Sequence, residues 1–412
     1  MLIPLHHLRK TLLALFLICA PIGAQQTTEL QRLINAEQAA RDSGDPSQVI
    51  SAAQKLTDAA KQQIQTTETA LKQPNLTPAK KKQLQTREHL LREVLSTGLN
   101  DWGTAEARQR QYAQALEHFQ QAESWDASTP GLMRNLGMAA FRLQNYPEAI
   151  RALAQVVSSD ASDQTARLML AMSYFSLEKF ADAAAQFNQV PELTMQDTRT
   201  AYAWGFSLAR TSQQQSASQI ADKLVARDLS PDVRFLVCQL YTSAENYDHA
   251  VSCFRKISAE NPSMPRVHYE TGATLIRLDR PAEAIPELRE ELKINPGDVD
   301  AQYNLAYALL EISQRDEALA LLDKVVTEKP DYFQAQYELG KTLLENGELP
   351  EAIEHLEAAE KLDSSADYIH YQLQSAYRRA GRTDDANREL AIYKQIKASH
   401  RNTGPAHETA GP

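Results

Sequence analysis

The stretch Val299 to Pro330, VDAQYNLAYALLEISQRDEALALLDKVVTEKP, decides how the chain is read. It divides into two short amphipathic segments. In the first, Leu305, Ala306 and Leu309 share one helical face; in the second, Ala318, Leu322 and Val325 do. The polar turn Ser313-Gln314-Arg315-Asp316 separates them, and Pro330 ends the second. Neither helix can bury its apolar face alone, so the unit needs neighbours stacked on it. That requirement predicts a repeat.

The repeat is present. Alanine recurs at one phase nine times, at Ala115, Ala149, Ala183, Ala217, Ala250, Ala284, Ala318, Ala352 and Ala386, always 34 residues apart except for 33 between Ala217 and Ala250. Four residues later stands a large apolar residue: Phe119, Leu153, Phe187, Phe254, Leu288, Leu322, Leu356 and Leu390, with Ala221 as the exception. Twelve residues before each alanine stands a mostly small residue: Gly103, Gly137, Ala171, Gly205, Cys238, Gly272, Ala306, Gly340 and, departing, Gln374. Antiparallel helices approach closely only where both present small side chains, and the bulky residue one turn on fills the space beside the crossing.

This pattern resembles the tetratricopeptide repeat family, a 34-residue helix–turn–helix. Pro262, Pro296 and Pro330 match the family's repeat-end proline. The resemblance covers about Ser96 to His400 and implies an all-α, right-handed superhelical solenoid of about nine repeats. It implies a scaffold rather than an enzyme, without naming a partner.

Outside the repeats the chain has three further parts. Residues 1–24 carry His6, His7, Arg9 and Lys10 before the apolar run Thr11 to Ala20, then the small residues Pro21-Ile22-Gly23-Ala24. That is the layout of a secretory signal peptide cleaved after Ala24, with an uncleaved anchor as the alternative. Export to a bacterial periplasm or the cell exterior is the expectation. Residues 25–95 lack the repeat phase and read as an amino-terminal helical cap, or else a docking module; residues 96–400 are the solenoid and 401–412 a disordered tail. Within 25–95, helices are expected from Glu29 to Arg41, from Ser47 to Lys72, and from Pro78 behind an N-capping Thr77.

The leader would take two of the 43 basic residues and none of the 53 acidic, leaving a balance of −12. A net acidic chain without a basic run argues against nucleic acid as the main partner, and no later apolar stretch is long enough to span a bilayer. Cys238 and Cys253 lie one on each helix of the repeat Pro231–Met264. An oxidising compartment permits a disulfide between them, but Cys238 stands at the small-residue position, which favours two free buried cysteines.

Two repeats depart from the pattern. Thr198–Ser230 has Ala221 at the bulky position and is expected to pack loosely, as a hinge. Pro265–Asp298 has Pro281 at its second helix's start and Pro286 in the first turns, where proline removes a donor. The last repeat has no polar cap after it, so Tyr393 and Ile396 are expected on an open end, covered by the tail or by a second copy of the chain in a homo-oligomer.

No catalytic constellation, phosphate loop or metal-ligand spacing is found, and no cofactor is implied; the histidines are scattered through different repeats. Binding is the remaining chemistry. In the family, side chains of the first helix of each repeat line a concave face. By that resemblance the partner-binding residues are Arg134, Phe141, Arg142, Phe175, Arg199, Tyr202, Phe206, Arg210, Phe235, Arg266, Tyr269, Arg277, Tyr303, Tyr307, Tyr337 and Tyr371. Aromatic and Arg side chains carry most binding energy at protein interfaces. The arginines on an otherwise acidic chain imply a protein or peptide partner with an acidic segment.

Overall fold

A computed structural model describes residues 24–402, and these fold into 21 helices with no strand among them. They divide into two compact units, the first ending at Gln213 and the second starting at Gln214, a boundary inside the turn of the repeat that carries Ala221. The first unit runs α1 (Ala24–Ser43), α2 (Pro46–Leu71), α3 (Pro78–Arg108), α4 (Tyr112–Trp125), α5 (Leu132–Arg142), α6 (Tyr146–Ser159), α7 (Gln164–Ser176), α8 (Phe180–Phe187), α9 (Pro191–Thr194) and α10 (Thr198–Ala209). The second runs α11 (Gln214–Val225), α12 (Pro231–Ser243), α13 (Tyr247–Glu260), α14 (Val267–Arg277), α15 (Pro281–Ile294), α16 (Val299–Glu311), α17 (Arg315–Glu328), α18 (Phe333–Asn346), α19 (Leu349–Leu362), α20 (Asp367–Arg379) and α21 (Thr383–Asn402). Nearly all of the leader, residues 1–23, and of the tail, residues 403–412, lie outside the described residues.

Within each unit successive helices pack side by side apart from the single turn α9, which α8 passes over to pack on α10, and first helices of neighbouring repeats also touch, as α5 does α7 and α14 does α16. The alanine ladder marks those contacts: eight of the nine alanines are fully buried and Ala386 is 4% exposed. The small residues opposite leave no spare room. A Cβ on Gly103 would fall 2.8 Å from the Phe119 ring, and one on Gly272 would fall 2.6 Å from Leu288 Cγ. Between its two helices each repeat turns through one residue in the left-handed region: Arg110, Gln144, Glu178, Ser212, Glu245, Asp279, Ser313, Gly347 and Gly381. Only the last two are glycines, so the other seven hold a conformation that costs an L-residue about 1–2 kcal/mol.

The long helices at the start obey ordinary capping. Asp45 accepts a hydrogen bond from Ser47 N at 2.9 Å with Pro46 opening α2, and Thr77 accepts from Lys80 N at 3.3 Å with Pro78 opening α3. α3 continues without a break past residues 95 and 96 into the first repeat, its Leu91, Leu95 and Leu99 packed with Leu56, Ile64 and Phe119. Pro286 stays inside α15 with its side chain exposed. Pro191 shortens the second helix of its repeat: α8 stops at Phe187, and Val190 leaves the helical region (φ −136°, ψ 48°) before the single turn α9.

The cysteines correct the sequence expectation. Cys238 on α12 and Cys253 on α13 are joined in a disulfide, with Cα atoms 5.5 Å apart. The reason is the repeat geometry. The residue fifteen after the small position faces it across the helix pair; in an earlier repeat a Cβ on Gly137 would lie 3.3 Å from Ala152 Cβ. Cysteines at those two places are therefore held within bonding reach.

One polar position also recurs. Gln302 Nε2 donates to Pro296 O at 2.8 Å, Gln336 Nε2 donates to Pro330 O at 3.0 Å, and His370 Nε2 lies 3.0 Å from Ser364 O. Each of these buried side chains pins the loop carbonyl six residues before it.

Candidate partner-binding faces

In the first unit the half-buried aromatic residues converge. Phe175, on the last turn of α7, meets Phe180 edge-on with ring centroids 6.0 Å apart and Phe206 at 6.1 Å. Phe180 and Phe206 lie 5.5 Å apart, and Tyr202, one turn before Phe206 on α10, stacks on it at 6.0 Å. The Arg210 guanidinium sits 5.2 Å from the centre of the Phe180 ring. Phe180 was not among the expected residues because it opens a second helix. Its signal was available: an aromatic also stands at that phase in Tyr112, Tyr146 and Tyr247. Phe141 lies outside this group and packs on Tyr146, 6.1 Å away.

The arginines divide by role. Arg134 Nε donates to Asp163 Oδ2 at 2.6 Å, while Asp163 Oδ1 accepts from Ala166 N and caps α7. Arg266 does the same in the second unit: its Nη1 lies 3.0 Å from Asp298 Oδ2, and Asp298 caps α16 through Ala301 N. Both arginines thus tie one first helix to the cap of the next, a packing use of charge that spacing did not reveal. Arg142, Arg199 and Arg277 are exposed, and their side chains form no ion pair among the described residues.

The second unit carries a face of tyrosines. Arg266 lies 3.7 Å from the centre of the Tyr269 ring. Tyr303 is 7% exposed, edge-on to Tyr332 at 5.2 Å and 6.4 Å from Tyr307. Its hydroxyl makes no hydrogen bond, and burial, then the charge of Glu338, pushes its ionisation above the usual tyrosine range. Tyr332 donates to Asp300 Oδ1 at 3.3 Å. Tyr337 and Tyr368 meet edge-on at 4.9 Å, and exposed Tyr371 lies 5.8 Å from Tyr393. Phe235 packs on fully buried Phe254, 5.5 Å away, and belongs to its helix pair rather than to this face.

This second face is mixed in charge rather than basic. Glu338 is 3% exposed, paired with Lys341 at 3.1 Å, and burial pushes its carboxyl above the ordinary range. Tyr332, at the end of its repeat, was missed because its position falls outside the first-helix set. Tyr393 and Ile396 on α21 are half-buried.

Two buried polar clusters lie apart from these faces. In the first unit the Arg41 guanidinium lies between Glu37, at 3.1 Å, and Asp101, at 2.9 Å. Burial, then the charge of Asp101, pushes the Glu37 carboxyl up to about 8. In the second unit His370 Nδ1 lies 2.7 Å from Glu389 Oε2 and 3.9 Å from Glu360 Oε1. Among the described residues no helix is long and apolar enough to cross a membrane.

Comparison with known proteins gives the fold a family context. The tetratricopeptide repeat family matches residues 100–163, 134–198 and 303–367, and a family described as anaphase-promoting complex, cyclosome, subunit 3 matches residues 210–291. No curated protein matches the chain. Among solved structures, a tetratricopeptide repeat protein from Parabacteroides merdae is 16% identical, covering 60% of this chain and 98% of that one at a TM-score of 0.39. MamA from Desulfovibrio magneticus is 20% identical, covering 41% and 97% at 0.37. YrrB, described as a TPR protein with an unusual peptide-binding site, is 23% identical, covering 44% and 94% at 0.34. The tetratricopeptide matches, residues 100–198 and 303–367, fall where the alanine ladder is buried.

Proposed function

We propose that this chain is a non-catalytic protein-interaction scaffold of the bacterial periplasm or cell envelope, holding an extended or helical partner segment against its first-helix faces. The observation that carries the reading is the first unit's half-buried cluster of Phe175, Phe180, Tyr202 and Phe206, with Arg210 over the Phe180 ring and exposed Arg199 three residues before Tyr202 on α10, without an ion pair among the described residues. Rings locked against each other lose little freedom on binding, and unpaired guanidinium groups beside them suit a carboxylate-bearing segment. Paired arginines such as Arg134 and Arg266 are spent on packing and are not part of the recognition set. In the second unit the tyrosine face, with Glu338 and Asp300 among its rings, suits a segment of mixed charge.

The envelope location rests on the leader pattern of residues 1–24 and on the Cys238–Cys253 disulfide, a bond that persists in oxidising compartments. The test is co-purification of the chain without residues 1–24 from an envelope extract, beside an Arg199→Glu, Arg210→Glu double variant and a Tyr202→Ala variant. A specific partner captured by the native chain and lost with both variants supports the reading. Retention of every partner by both, at unchanged thermal stability, removes the first unit's cluster from any binding role.

A further inference from the structure

We propose that Glu360, His370 and Glu389 form a binding site for one divalent transition-metal ion of the zinc class, at the junction of α19, α20 and α21. Each helix supplies one ligand, and the three ligand atoms lie within 4.8 Å of one another. His370 is 1% exposed and the Glu389 side chain 7%, while Glu360 is 30% exposed and opens one side to water. Imidazole with two carboxylates is a donor set that suits zinc, with water completing the tetrahedron.

The backbone partner of His370 fixes its tautomer. Ser364 O can only accept, so His370 Nε2, 3.0 Å away, must carry a hydrogen. The neutral ring therefore points the Nδ1 lone pair at the two carboxylates. Lone pair against carboxylate is repulsive, so a cation belongs between them: a proton on Nδ1, or a metal ion. A neutral imidazole and two carboxylates carry a charge of −2, which one dication cancels and one proton does not. Of the charged neighbours, Glu357 is engaged by the Tyr377 hydroxyl at 2.6 Å, and Lys361 adds a single positive charge beside Glu360.

The distances fit. Ligands about 2.1 Å from a tetrahedral zinc stand about 3.4 Å from one another. The 2.7 Å and 3.9 Å separations from Nδ1 bracket that value, so small carboxylate rotations suffice. The Ser364 carbonyl would act as the outer partner that orients a metal-bound histidine. An ion here would clasp α21 to the two helices before it, where the ladder thins: Leu390 is half-buried, whereas Leu356 one repeat earlier is fully buried.

The test is calorimetric titration of the tag-free, chelator-stripped chain with Zn²⁺, and visible absorption with Co²⁺. His370→Gln is the informative variant, because Gln302 and Gln336 occupy the same repeat position and bond the same kind of loop carbonyl. It keeps that hydrogen bond and removes the Nδ1 ligand. Glu360→Gln, at the half-exposed edge, is a second variant that leaves the buried pair intact. We expect one ion per native chain, at least tenfold weaker binding in both variants, and unchanged thermal stability of Glu360→Gln in chelator. Absence of stoichiometric binding to the native chain assigns the cluster to a proton alone and overturns the proposal. So does binding that neither variant weakens.

Discussion

Substituting Gly340 by alanine tests the close helix approach on which the fold depends. Gly340 lies on α18, facing α19. A Cβ there would stand 2.8 Å from Leu356 Cγ, 3.0 Å from Leu356 N and 3.1 Å from Ala352 O. Two of those three atoms are backbone and cannot rotate away, so α18 and α19 must part by a few tenths of an ångström. Alanine's better helix propensity returns about 1 kcal/mol, and overpacking costs about 1–3 kcal/mol. Since the obstruction is largely backbone, the upper half of that range applies, and the net loss is about 1–2 kcal/mol. For a unit of about 200 residues this lowers Tm by about 2–8 °C. Gly272 provides the comparison: its Cβ would meet only side-chain atoms of Leu288, at 2.6, 2.9 and 3.3 Å. A rotamer change can relieve that contact, so Gly272→Ala should cost less, and adding Leu288→Ala should remove the clash. Adding Leu356→Ala to Gly340→Ala should not remove its backbone part. Circular dichroism melts of the four variants, with amide exchange along α18 and α19, read the outcome. A higher Tm for Gly340→Ala would refute the reasoning, because the two backbones would then have room to spare.

Three further outcomes are expected. Replacing Cys238 and Cys253 by alanine opens a crosslink between residues 15 apart and should cost about 3 kcal/mol, seen as a lower denaturation midpoint and faster exchange in α12 and α13. Replacing Glu178 or Asp279 by glycine relieves a left-handed backbone and should raise stability by about 0.5–1 kcal/mol per site, additively between the two; melts of the single and double variants check this. Glu37 has a folded-state pKa of about 8 against 4.5 for the free side chain, so the folded state binds the extra proton. Its contribution is full below pH 4.5 and is lost as pH rises toward 8, at no more than about 1.4 kcal/mol per pH unit. Native Tm should therefore fall across that window more steeply than that of Glu37→Gln, and parallel curves would contradict the assignment.

What could be read in the sequence was whatever sterics repeat. Paired helices can touch only where both present small residues, and that demand recurs every 34 residues whatever the rest of the repeat does. The ladder, the turns and the amino-terminal caps therefore show in one chain. The disulfide was also legible in principle, since Cys238 and Cys253 occupy facing positions of one helix pair. Residue character misled there: a small apolar cysteine suits the position equally well as a free thiol, and only the cross-helix distance separates the two.

The binding faces were harder to read, because their residues answer to no common steric rule. Arg134 reaches an acid 29 residues on and Arg266 one 32 residues on, so each is spent on a partner set by its own neighbouring loop. Arg142, Arg199 and Arg277 resemble them in composition and first-helix placement, yet make no such bond among the described residues. Recognition and packing draw on the same residue types at neighbouring positions, and only three-dimensional neighbours tell them apart. The cluster of Glu360, His370 and Glu389 sharpens the point: its ligands come from three helices, 10 and 19 residues apart, spacings outside any single-helix metal motif. A solenoid hides its chemistry in this way. Helix contacts are periodic and write a period into the sequence, whereas a site assembled across consecutive helices leaves only one residue on each.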